Sequence, residues 1–143
     1  MAEEKSEQKW VGFDLDGTLA EYDGWKGIDH IGKPVKPMVE LMKRMHDDGK
    51  VVKIVTARVA PRRLEDGTVG EEFTWMTPRP SSDPYAKYTA TQYIQDWCEE
   101  DAQLGFLPEI VHKKDHLMLE FYSKAHLPWW RRLLHMMRGK ENK

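Results

Sequence analysis

Apolar residues along the chain recur at two spacings, and together these predict an alternation of strands and helices. Trp10, Val11 and Phe13 form a short strand-favouring run that ends at Asp14, and Gly17 lets the chain turn just beyond it. From Pro37 to His46, Met38, Leu41, Met42 and Met45 sit at helical intervals, with Gly49 as a stop. These methionines read as core packing. Lys50 to Val55 is a β-branched run bounded by Gly49 and by Thr56-Ala57-Arg58, which predicts a second, buried strand. Tyr85 to Asp101 supports a helix with Tyr93, Ile94 and Trp97 on its inner face. Short strands are predicted at Glu109 to His112 and Leu117 to Tyr122. A last helix spans Pro128 to Met137, with Trp129, Leu133 and Met136 or Met137 on one face.

Strand, helix, strand in that order implies a right-handed crossover and a parallel sheet. Ligands of such sheets bind beyond the carboxyl ends of the strands, so Thr56 and Arg58 should emerge on the same rim as Asp14 and Asp16. Two stretches break the pattern. Residues 21–32 hold Gly24, Gly27 and Gly32 with Tyr22 and Trp25, and read as a loop with aromatic contact surface. Residues 66–84 turn to Gly, Thr, Pro, Ser and acidic residues around Phe73, Trp75 and Met76, and read as an inserted long loop.

A length of 143 residues suits one domain with a real core, taken as 10–143 behind a charged, solvated tail at 1–9. The formal net charge of −2 gives no general attraction to polyanions. A nucleic-acid partner would therefore need a local basic patch, and only the C-terminus offers one. There Trp129, Trp130, Arg131, Arg132 and Arg138 could contact phosphates and bases, although an amphipathic helix covering the sheet edge is the preferred reading. The single cysteine, Cys98, excludes an internal disulfide framework and is placed on a helix. No secretory signal or segment of transmembrane length is present, so the expectation is a cytoplasmic protein without a membrane partner. The pattern specifies no oligomeric state.

Asp14 and Asp16 carry the candidate chemistry. Residues i and i+2 share one strand face, so both carboxylates can enter one crevice if the extended geometry persists. If the strand breaks at Asp14, the second position offers its backbone carbonyl or its side chain according to the turn. Either arrangement suits Mg²⁺ and a phosphate, while the plain alternative is an Asp-rich turn with no ligand. A calcium loop is excluded, because its sixth and twelfth positions would be Leu19 and Trp25 rather than Gly and Glu. His112 and His116 lack a fixed common face for zinc. Asp29 and His30 read as surface-loop residues.

Asp14-Leu15-Asp16-Gly17-Thr18-Leu19, Val55-Thr56-Ala57-Arg58 and Lys113-Lys114-Asp115 resemble, in order, three motifs of the haloacid dehalogenase-like (HAD) superfamily of phosphotransferases. More narrowly, Tyr22, Trp25 and Gly27, then Ile31-Gly32-Lys33-Pro34-Val35, then Thr56-Ala57-Arg58 resemble a small, capless phosphatase-like group of bacteria and phages. The resemblance implies an α/β, three-layer Rossmann-like domain with a mainly parallel central sheet and flanking helices. It also implies Mg²⁺-dependent hydrolysis of a phosphomonoester, either a phosphorylated small molecule or a nucleotide. In that reading Asp14 attacks phosphorus to form an aspartyl-phosphate, and Asp16 acts as acid and then base. The Asp14 carboxylate and Asp16 carbonyl hold Mg²⁺. Thr18 and Thr56 meet the phosphoryl oxygens, and Lys114, or Lys113 in its place, neutralises charge there. Arg58 either reaches the substrate or pairs with a carboxylate at the rim.

One motif departs from the family. After Met118-Leu119-Glu120-Phe121-Tyr122, where acidic metal ligands are expected, the chain reads Ser123-Lys124-Ala125-His126. Three explanations stay open: Glu120 or Asp115 replaces the ligand, Lys124 stands in for the cation, or the C-terminus from His126 has been replaced, giving a divergent helix over about 126–139. The rivals to a phosphatase are thus a catalytically impaired phosphate- or partner-binding protein and, third, a nucleic-acid end-processing enzyme.

Overall fold

The computed structural model describes residues 8–76 and 85–123. Trp10–Asp14 forms β1 and Val52–Val55 forms β2, separated by helix α1 at Lys36–Asp47. Pro37 lies in the first turn of α1, where a missing N–H removes no helical bond. At the exit Gly49 takes φ +87° and donates its N–H to the His46 carbonyl, a conformation that suits glycine there. Ala57–Val59 then makes a single 3-10 turn.

The stretch read as an inserted loop is more structured than its composition predicts. Pro61–Arg63 (β3) pairs antiparallel with Val69–Glu72 (β4), and Thr74–Met76 (β5) with Lys87–Thr89 (β6). Gly67 at φ +86° and the Thr68 N–H donated to Asp66 Oδ1 close the first hairpin, so turn-forming residues here serve strands. Residues 77–84 lie outside the described residues. Because Lys87–Thr89 is drawn into β6, helix α2 starts at Ala90 rather than Tyr85 and runs to Asp96. A reciprocal cap fixes that start: Gln92 N–H donates to Thr89 Oγ1 at 3.1 Å, and Thr89 N–H to Gln92 Oε1 at 2.8 Å. The helix widens into a π-type turn over Trp97–Asp101.

Glu109–Val111 (β7) and Met118–Tyr122 (β8) complete a four-stranded, all-parallel sheet in the order β7-β2-β1-β8. The steps β1 to β2 to β7 run in one direction, so right-handed crossovers put α1 and α2 on one face. There Met38, Met42, Ile94, Trp97 and Cys98 form one cluster with Val11, Phe13 and Ile54. The last connection reverses direction, and residues 112–117 make it without a helix. On the strand face that carries Trp10, Gly12 and Asp14, the Trp10 ring lies over Gly12 beside Met118 and Phe121.

The fold is therefore α/β with a parallel sheet, but it is poorer in helix than the resemblance implies. The described helices cover one face, because the final crossover is too short to hold one. The expected helix over about 126–139, and Lys124 with it, lie outside the described residues. Among the described residues no helix is long and apolar enough to cross a membrane.

Candidate active site

Asp14 is the last residue of β1, level with Val55 of β2, which is itself level with Val111 of β7. Beyond it the chain folds back tightly. Leu19 N–H donates to the Asp14 carbonyl at 3.3 Å and Ala20 N–H to the Leu15 carbonyl at 2.9 Å, with Gly17 at φ +83°. The carboxylate of Asp14 takes the Leu15 N–H at 3.0 Å. Burial, reinforced by the charge of Asp16, raises the Asp14 pKa from 3.8 to about 6, against the opposing Leu15 N–H, Lys114 and Thr18. Asp14 is thus a desolvated carboxylate with a cation in electrostatic range.

Two hydroxyls stand at the same rim. Thr18 is fully buried, and its Oγ1 lies near enough to Asp14 to lower its pKa yet has no well-formed hydrogen bond. A buried hydroxyl without a partner is costly, and it is the kind of group a ligand oxygen satisfies. Thr56 directly follows β2; its N–H donates to the Val111 carbonyl at 2.9 Å and its Oγ1 accepts the Arg58 N–H at 3.2 Å. Its hydroxyl proton remains available to donate.

Arg58 resolves to the second of its two expected roles. Its side chain is buried, Nε and Nη2 donate to the two oxygens of Asp16 at 2.8 and 2.9 Å, and Nη2 also reaches the His30 carbonyl at 2.9 Å. Nη1 meets the carbonyls of Gly27 and Ile28 at 3.3 and 3.5 Å. All five donors face protein acceptors, so in this structure Arg58 holds Asp16 and the 21–32 loop. Trp25 lies over its guanidinium, with 4.8 Å from Cζ to the ring centroid. Trp97 pins the other end of that loop, donating Nε1–H to the Gly32 carbonyl at 2.9 Å. Sequence reasoning missed both tryptophan contacts, because each pairs residues far apart in the chain.

Lys114 rests its Nζ 3.8 Å from the centroid of Phe121 while acting on Asp14, and Lys113 is exposed. Glu120 is not brought to this rim. It stands level with Val11, three residues before Asp14, and its carboxylate accepts the Tyr122 hydroxyl. Glu120 is corrected as a metal ligand on that register. Asp115 is also committed elsewhere, its Oδ1 accepting Trp10 Nε1–H and Leu117 N–H, each at 2.9 Å. Continuing the β1/β8 register past Phe13 and Tyr122 brings Ser123, buried, level with Asp14.

For Mg²⁺ the described residues offer two hard oxygens at this rim. One is the Asp14 carboxylate. The other is the Asp16 carbonyl, which accepts no hydrogen bond among the described residues, because the Asp16–Ala20 bridge runs through the Leu15 carbonyl and the Gly17 N–H. Among the described residues no group of three His, Cys, Asp or Glu side chains is arranged to hold a metal. The donor set fits a water-rich Mg²⁺ site that the oxygens of a ligand would have to complete, not a closed protein cage. Comparison with family models, curated proteins and solved structures gave no match for this chain.

Proposed function

We propose that the chain is a HAD-like phosphomonoester hydrolase acting through Asp14. The observation that carries this reading is the raised Asp14 carboxylate at the end of a central parallel strand, beside the unsatisfied Thr18 hydroxyl, Thr56 and Lys114. Asp14 attacks phosphorus as the bond to the leaving oxygen breaks, giving an aspartyl-phosphate that water then hydrolyses. Thr18 and Thr56 donate to the phosphoryl oxygens, and Lys114 swings from Phe121 to offset their charge, with Lys113 the neighbouring alternative. Mg²⁺, bound by the Asp14 carboxylate and Asp16 carbonyl, would add positive charge at those oxygens.

Asp16 supplies the proton traffic. An ionised carboxylate has about four lone-pair sites, so Asp16 can hold both Arg58 donors and still accept from the attacking water. Its acid step needs a proton on the same carboxylate and hence a loosened Arg58 pair. The full three-layer arrangement would require a second helical layer on the Trp10, Gly12 and Asp14 face, which the described residues do not supply. The unpaired Cys98, buried with its thiol pushed up to about 12, fits a reducing, cytoplasmic setting.

Hydrolysis of 4-nitrophenyl phosphate with and without Mg²⁺ tests the reading. Turnover abolished by Asp14→Asn is expected; no turnover in pure folded protein, or turnover that survives the substitution, overturns it. The bidentate Asp16–Arg58 pair favours a second reading, a phosphate-binding protein without catalysis. Inorganic phosphate would then raise thermal stability while hydrolysis stays undetectable.

A further inference from the structure

Trp25 is a large aromatic residue left 58% exposed, yet it is not a loose side chain. One ring face lies over the guanidinium of Arg58. That guanidinium is itself buried and held by Asp16 and by the carbonyls of Gly27, Ile28 and His30. Gly24 and Gly27, at φ +121° and +107°, let the loop turn on either side of the ring, and Lys26 pairs with Asp23 at 3.0 Å on its surface. An exposed ring held this firmly loses little freedom when something flat lies on it.

Its place adds the second half of the argument. Arg58 joins the ring directly to Asp16, two residues from Asp14, so Trp25 stands one side chain away from the rim where the phosphate would bind. A cation beneath the ring and an open face above it suit a planar π-system.

We propose that Trp25 is a specificity platform that stacks a nucleobase, making the substrate class a nucleoside monophosphate rather than a phosphorylated sugar or alkyl alcohol. This rests on the phosphate site centred on Asp14. Stacking of a base on an aromatic side chain corresponds to roughly tenfold or more in affinity.

Equilibrium binding of AMP and of ribose 5-phosphate to the Asp14→Asn chain, which cannot turn them over, tests the proposal. AMP should bind about tenfold tighter or better. Adding Trp25→Ala should remove that preference while leaving ribose 5-phosphate affinity unchanged, and Trp25→Phe should retain most of it. Equal affinity for the two probes, a preference that survives Trp25→Ala, or binding of neither probe overturns the proposal. Hydrolysis by the parent chain is scored separately: its absence with the stacking preference intact removes the hydrolase reading and keeps the platform.

Discussion

Asp14→Asn should make the protein more stable while it abolishes hydrolysis. In the unfolded chain this carboxyl ionises near its ordinary 3.8, whereas burial and the charge of Asp16 raise it to about 6 in the fold. Between those values the folded state binds more protons than the unfolded state, so stability falls as pH rises, and the loss is complete above about pH 6. At 1.36 kcal/mol per pH unit the ceiling is about 3 kcal/mol, and the partial exposure of Asp14 reduces this to about 1–2 kcal/mol. Asparagine has the same shape, keeps an oxygen for the Leu15 N–H and carries no charge to desolvate. Urea unfolding in chelator should therefore find the variant more stable by about 1–2 kcal/mol at pH 8, with the gap closing towards pH 4. A variant no more stable than the parent at pH 8, or a gap independent of pH, would refute the reasoning.

Arg58→Lys keeps the charge but loses the fork that spans both Asp16 oxygens, and should cost about 2 kcal/mol or more by urea unfolding. It should also raise the protease sensitivity of residues 21–32; unchanged digestion would count against the clamp. Gly32→Ala would set a Cβ 2.0 Å from the Glu21 carbonyl oxygen, so the backbone must move and the Trp97 bond to Gly32 must give. A loss of about 3 kcal/mol or more is expected by thermal melting. Thr18→Val removes a buried hydroxyl that has no well-formed hydrogen bond but lies beside the Asp14 carboxylate, so the two effects oppose and stability should change by less than about 1 kcal/mol. Hydrolysis of 4-nitrophenyl phosphate should fall about tenfold or more in that variant, whereas full activity would remove Thr18 from the phosphate site.

The sheet was legible because its strands carry local signals: β-branched runs, a glycine stop after α1 and aspartates where β1 ends. Strand order puts Asp14 and Thr56 on one rim, whereas Thr18 and Lys114 are placed by the turn after β1 and by the 112–117 connection. The hairpins around residues 61–89 were less legible, since pairs such as Trp75 with Tyr88 draw their stability from partners across the turn rather than from neighbours in sequence. Arg58 could not be assigned for the same reason; its acceptors are an aspartate 42 positions away and carbonyls of a loop, and backbone acceptors leave no trace in residue type. Glu120 was misplaced because alternation fixes a face but not a height. Only the pairing of β8 with β1 puts it level with Val11.

The helix-free connection at residues 112–117 has a consequence for how the site comes into being. As the chain leaves the ribosome, β1, α1, β2, α2 and β7 can assemble while β1 is still a bare edge strand. The neighbour that closes this edge is β8, more than a hundred residues later, so that pairing carries the greatest loop-closure cost in the sheet. Lys114 arrives in the same late step. Nascent chains that stop short of Tyr122 would thus present a formed helical core with Asp14 on an open edge strand, a state prone to pair with other chains before the rim around Asp14 is complete.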